Sequence, residues 1–257
     1  MPILGITASS RSKFTPASIT GLKAWYDAAD TSSISLSGSD VTQWNDKSAN
    51  AYNLTQGTSA RRPSSGVNTL NGRNVITFGG DDILVASTAA DWKFLHDSSK
   101  ATWFIVCYFD TVQEYDSMLN TADGSTQIGM YFYRLNDVLG SAVFRGVSGT
   151  NVWGFDQGSL PDSSARSITL YSDTTNATAN LRVKYKLNGG SWINPSSGST
   201  QAVSTSNPTH ALYVGATDTA GSNGLNGRIA EIIIYTGLLS DTDVDKVNTY
   251  LTAKWGL

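Results

Sequence analysis

Gly227-Arg228-Ile229-Ala230-Glu231-Ile232-Ile233-Ile234-Tyr235, followed by Ser240-Asp241-Thr242-Asp243-Val244-Asp245-Lys246-Val247-Asn248-Thr249-Tyr250-Leu251-Thr252-Ala253-Lys254-Trp255-Gly256, is the stretch that decides the fold. Its first part is rich in β-branched residues and reads as a strand over 228–235. Its second part is the chain's one long helix signal, placed at 240–254. Ser240 is the N-cap, and Asp243 three residues on partly imitates a capping box. The acids fall in the first turn and Lys254 in the last, which suits the helix dipole. Val244, Val247 and Leu251 share one stripe, and Gly256 follows as a natural stop. The stripe is expected to pack on the sheet that Ile232-Ile233-Ile234 completes.

Working outward, the rest of the chain from Leu22 reads as short strands. They are placed at 22–28, 41–45, 74–78, 83–85, 102–109, 117–120, 128–134, 138–145, 167–172, 181–187, 191–193 and 211–215. Gly, Ser, Asn and Asp clusters separate them. Asn188-Gly189 marks a hairpin, because such turns require positive φ. Arg182, Lys184 and Lys186 alternate with Val183, Tyr185 and Leu187, so that hairpin shows one face to water. No ten-residue helices alternate with the strands, which removes a parallel α/β fold. Segments 194–209 and 218–226 read as long loops.

Composition agrees. Of 257 residues, 33 are Ser, 28 Thr, 17 Asn and 24 Gly, a mixture made for turns and short strands rather than helices. Lys and Arg number 18 against 21 Asp and Glu, a net charge of −3 that argues against nucleic acid as a partner. Apolar runs are far too short for a membrane-spanning helix, so membrane insertion is not expected. Two histidines and one cysteine exclude a Cys/His zinc site and any intrachain disulfide. The N-terminus lacks the charged and apolar regions of a secretory signal.

Four segments together resemble the concanavalin A-like (laminin-G-like) jelly-roll domains of lectins and glucanases. They are Ile19-Thr20-Gly21-Leu22-Lys23-Ala24-Trp25-Tyr26-Asp27-Ala28; Val41-Thr42-Gln43-Trp44-Asn45-Asp46-Lys47-Ser48; Arg62-Pro63 leading to Asn71 through Leu84; and the 227–235 strand with its helix. The resemblance covers 19–257. With the strand spacing, it implies an all-β, antiparallel two-sheet jelly-roll sandwich of concanavalin A-like type with one C-terminal helix. It specifies fold and leaves function open.

Residues 1–18 read as an extended arm, with a frayed terminus as the alternative. Ile3-Leu4-Gly5-Ile6-Thr7-Ala8-Ser9-Ser10 resembles the start of many tailed-bacteriophage virion proteins. That resemblance implies a non-enzymatic virion component, as a capsid decoration, head-fibre or tail-associated protein, made in the host cytoplasm. Its arm (Ile3, Leu4, Ile6, Arg11, Lys13) is expected to hold other virion proteins, with homo-oligomers on the particle and a lectin-like domain displayed to host-surface or environmental glycans. The alternative is a free carbohydrate-binding module or a degraded glycoside hydrolase.

The chemistry-bearing residues point to binding. Nineteen of the 21 acids are Asp, and Glu114 and Glu231 stand far apart. The close Glu spacing of glucanases, which supplies paired carboxyls about 5–5.5 Å apart, is absent. There is no nucleophile elbow, and Cys107 sits in an apolar strand pattern. Sugars need aromatic faces ringed by polar groups. Trp153, Asn151 and Asp156, read as a turn-rich loop, are the leading ligand candidates, with Tyr131, Tyr133 and Trp92 beside them. No cofactor is expected except Ca2+, which relatives hold on loop oxygens; Asp81, Asp82 and Asp218 are the candidate ligands, with turn capping as the competing role.

Overall fold

The computed structural model describes residues 14–257. The positions outside that description are 1–13, 87, 98, 112, 124, 125, 137, 146–150, 196 and 197, with the side chains of 142, 144, 145 and 151–159. The described strands are β1 (Leu22–Asp27), β2 (Ile34–Ser37), β3 (Asp40–Trp44), β4 (Leu54–Thr55), β5 (Ser64–Leu70), β6 (Arg73–Gly79), β7 (Leu84–Val85) and β8 (Lys100–Phe109). They continue with β9 (Tyr115–Asn120), β10 (Ile128–Leu135), β11 (Val138–Arg145), β12 (Asn151–Ser159), β13 (Ala165–Asp173), β14 (Val183–Leu187), β15 (Tyr213–Val214) and β16 (Asn226–Thr236). One α-helix, α1 (Asp241–Trp255), ends the described chain.

The quoted stretch lies at the centre. β16 pairs antiparallel with β8 along its length, with β1 over its second half and with β6 over its first. Its Gly227 is required by a close approach, because a Cβ there would collide with the Tyr108 carbonyl oxygen on β8. All pairings are antiparallel, and they form one path, β12-β11-β10-β9-β15-β7-β4-β3-β5-β6-β16-β8-β13-β14. The path curls into two layers. A front layer (β12 through β4) faces a back layer (β6, β16, β8, β13 and β14, with β1 on β16) across one core. Trp103 of β8 meets Phe132 of β10 across it, ring centroids 5.5 Å apart. This is the expected all-β sandwich with one C-terminal helix.

The outer side of the back layer is closed by α1. Val244, Val247, Leu251 and Trp255 are buried against Trp25, Phe104, Val106, Ile233 and Tyr235. Ser240 Oγ accepts from the Asp243 N–H, and Gly256 ends the helix at φ +71°, as the sequence predicts. Beneath the helix, Glu231 is 1% exposed and both of its oxygens are filled. Oε1 accepts from Trp25 Nε1 at 2.7 Å and Tyr250 OH at 2.8 Å; Oε2 accepts from Trp255 Nε1 at 2.7 Å and Lys254 Nζ at 2.8 Å. Lys254 Nζ also reaches Asp27 Oδ1 at 2.5 Å, and Lys47 joins Asp27 to Asp30.

A second buried pair fastens one end of the front layer. Arg134 and Asp116 are both fully buried, 2.7 Å apart. The same guanidinium reaches Asp162 and the carbonyls of Leu160 and Thr111.

Four strands escape the sequence pattern: β2, β4, β5 and β12. β5 is polar and partly exposed, so composition hides it; pairing with β6 makes it a strand, through an Asn71-Gly72 turn with both residues at positive φ. The expected loop around Trp153 is instead strand β12, paired to β11 with Trp153 opposite Val143 and Asp156 opposite Gly140. Glycines 154 and 158 mimic a loop composition, and the neighbouring strand overrides it.

Replacing Arg134 by Met should lower stability in urea unfolding by about 3–5 kcal/mol, since Asp116 is left as an uncompensated buried charge. The double variant Arg134→Met, Asp116→Leu should recover most of that loss.

Candidate functional site

With the back layer covered by α1, the outer side of the front layer is the other sheet face; Tyr131 there is 5% exposed and Asn120 fully buried, while Tyr133 and Tyr213 are half-buried. Alternation decides what stands there. On β10, Met130 and Phe132 point into the core, so Tyr131 and Tyr133 point out. On β15, Leu212 and Val214 are core residues and Tyr213 between them faces the other way. Register then aligns them: Tyr213 lies opposite Asn120, and Asn120 opposite Tyr131, one row across β15, β9 and β10. On the next strand, Gly140 stands opposite Tyr133 in the register.

The rings form two groups. Tyr133 lies 4.5 Å from Tyr131 and 5.8 Å from Tyr115, centroid to centroid. His210 stacks on Tyr213 at 4.9 Å with 19° between the planes. Asp123, 29% exposed, joins them from the loop after β9, its Oδ2 3.9 Å from His210 Nε2 and so beyond hydrogen-bond range. Ala122 beside it packs on Tyr131 and Tyr133. Two polar atoms here are buried without a partner: the Tyr131 hydroxyl and His210 Nε2. An unsatisfied buried group costs about 1–3 kcal/mol, which a hydrogen-bonding partner would recover. Burial, with Tyr115 and Asp123 nearby, pushes the Tyr131 hydroxyl well above its ordinary range; burial and then Asp218 and Asp123 raise Tyr213. Both phenols are therefore neutral donors.

Of the sequence-derived ligand candidates, Tyr131 and Tyr133 meet at this site. Asn151, Trp153 and Asp156 lie on β12, in the same layer two strands from Tyr131, with side chains outside the described residues. Trp92 is corrected: its ring is wholly buried between Tyr52 and Phe94, because η-type turns over Ala89–Leu95 tuck it into the core. The arm residues Ile3, Leu4, Ile6, Arg11 and Lys13 lie outside the described residues. Residues 14–18 are described and lie on the domain, with Phe14 5.8 Å from Tyr250 and the Pro16 carbonyl accepting from Tyr235 OH. Tyr115, His210 and Tyr213 escape the sequence reading. For Tyr213 a signal was present, the apolar neighbours Leu212 and Val214; His210 and Tyr115 join only through folding.

Asp81, Asp82 and Asp218 do come together at neighbouring loops, for Gly221 of the Asp218 loop packs on the Asp81 carbonyl. Their carboxylates are engaged otherwise. Asp81 pairs with Arg61 at 2.5 Å, Asp82 accepts from the Gly79 N–H at 2.7 Å, and Asp218 accepts from Ala220 and Ser222. These side chains do not form a calcium shell, and no cluster of three or more His, Cys, Asp or Glu suited to a metal occurs among the described residues.

A groove of about 1120 Å³ opens beside α1, lined by Phe14, Asp27, Asp30, Arg73, Tyr250 and Lys254 among others. Of its acids, Asp27 and Asp30 pair with Lys47 and Lys254, and Asp245 pairs with Lys186.

No family model and no curated protein matches the sequence. Solved structures match in fold. Trypanosoma rangeli sialidase in complex with sialic acid superimposes with a TM-score of 0.58 at 12% identity, over 92% of this chain and 33% of that one. The Ruminococcus gnavus IT-sialidase CBM40 bound to α2,3-sialyllactose gives 0.51 at 15% identity, over 68% of this chain and 95% of that one. The binding domain of botulinum neurotoxin DC in complex with SialylT gives 0.54 at 10% identity, over 90% and 52%. The chain thus spans about a third of the length of the sialidase it resembles. At these identities the likeness is one of fold, an all-β sandwich.

Burial pushes the Asp82 carboxyl up to about 6, against the opposing Gly79 N–H. A raised folded value means stability is fully present below the ordinary carboxylate range and is lost as pH rises through about 6. Asp82→Asn should therefore flatten the fall in melting temperature between pH 4 and 6 and leave the protein more stable at pH 7.

Proposed function

We propose that this chain is a carbohydrate-binding module whose site is the outer face of the front layer. The observation that carries the proposal is the row Tyr213–Asn120–Tyr131, with Tyr133 and Tyr115 beside it and two unpartnered buried polar atoms within it. Aromatic faces take the C–H faces of pyranose rings, and the Tyr131 hydroxyl, His210 Nε2 and Asp123 supply the hydrogen bonds that orient them. The named ligands of the structurally similar proteins support the reading at the level of ligand class.

The activity inferred is binding rather than hydrolysis. Glycoside hydrolysis needs one carboxyl able to protonate and a second able to attack or to activate water. Asp27 and Glu231 are joined through Lys254, and Glu231 has both oxygens filled, so that pair is fastened in place.

A second reading rests on the resemblance of residues 3–10 to the start of bacteriophage virion proteins. In it the module is displayed on a particle, and residues 1–18 attach it to other virion proteins. An apolar extended segment gains stability by lying on a partner's surface or sheet edge.

Tyr133→Ala and Tyr213→Ala should each weaken glycan binding at least about tenfold in isothermal titration, the scale of one lost ring stack. Unchanged binding in both variants would refute the site. For the second reading, Ile3→Ser, Leu4→Ser and Ile6→Ser together should leave the melting temperature nearly unchanged and remove the protein from particles; a large fall in melting temperature would refute it.

A further inference from the structure

Resting on the carbohydrate reading above, we infer that this site selects uncharged sugars and rejects those that carry a carboxylate, sialic acid included. The inference departs from the named ligands of the structurally similar proteins and follows from the charges at this chain's own open face.

Binding a sugar carboxylate in a partly dry recess calls for charge-assisted donors, above all the fork of an arginine or the ammonium of a lysine. The charges at the tyrosine row are of the opposite kind. Asp123 is the carboxylate at the face, and the charged groups acting on Tyr131 and Tyr213 are Asp123, Asp116 and Asp218. The arginine on the same strand, Arg134, is fully buried, and its guanidinium is taken by Asp116, Asp162 and two carbonyls. Arg61 and Arg228 are likewise paired, with Asp81 and Asp110. A carboxylate entering here meets a like charge, and like-charge juxtaposition is strongly unfavourable.

A neutral sugar fits what is present. Its hydroxyls donate to the acceptor-only Asp123 carboxylate and accept from the neutral Tyr131 hydroxyl, one of the two buried atoms that lack a partner. The other, His210 Nε2, either accepts from or donates to a sugar hydroxyl according to its tautomer. The Tyr213 ring, stacked on one side by His210, carries no charge requirement.

The test is isothermal titration of the full chain with lactose, cellotriose, maltotriose and mannotriose, alongside α2,3-sialyllactose, which differs from lactose by one sialic acid. At least one neutral sugar is expected to bind, with sialyllactose weaker than it by about tenfold or more. Asp123→Asn, which keeps the shape of the side chain, should bring the two within about threefold while thermal unfolding stays unchanged. Sialyllactose binding as tightly as the best neutral sugar, or a gap that Asp123→Asn leaves in place, would overturn the inference while the carbohydrate reading stood. Failure of every sugar, neutral and acidic, to bind would overturn the carbohydrate reading itself and this inference with it.

Discussion

One buried carboxylate organises this molecule. Glu231, in the middle of the central strand, accepts from two indoles, a phenol and an ammonium that come from β1 and α1. A lone carboxylate at that depth would be ruinous, and complete satisfaction of its lone pairs is what permits it. The consequence reaches beyond stability. Because Trp25, Tyr250, Lys254 and Trp255 all answer to one residue, the helix lies on the back layer in one position and closes that face. An antiparallel sandwich with one outer face closed has one sheet face left for a ligand, and the tyrosine row stands on it.

The two layers handle charge differently. Behind, Asp27, Asp30, Lys47, Lys254 and Glu231 neutralise one another under the helix, with Lys47 over the Trp25 ring and Lys254 over those of Tyr250 and Trp255. In front, Arg134 and Asp116 are paired out of reach, and the outer face keeps the tyrosine rings and Asp123. Trp192, a plausible sugar shelf by type, is spent on the back layer, stacked 4.5 Å from Tyr171 and donating to Asp241.

The sequence made the fold legible because its strongest signals were structural. The apolar 229–235 run, the capped helix and the Asn188-Gly189 turn all report on backbone and burial, which local pattern encodes. The strands it hid, β2, β4, β5 and β12, are short, polar or glycine-containing and exist through pairing with a neighbour. The site was half legible. Tyr131 and Tyr133 could be named, since alternation on one strand is a local matter. Trp92 could not be told from a ligand residue, because its depth depends on how the turn before β8 folds inward. Asp123, His210 and Tyr213 converge from segments some 90 residues apart, and no local pattern records that meeting.

The central claim is that the open front face, and no other surface, holds the sugar. Amide chemical-shift mapping of the isotopically labelled chain during titration with a bound neutral oligosaccharide tests it most directly. The account predicts that shifts concentrate at Tyr115, Asn120, Asp123, Tyr131, Tyr133, His210 and Tyr213, with α1 unmoved. Shifts centred on Tyr250, Lys254 and the groove beside α1, with the tyrosine row silent, would contradict it.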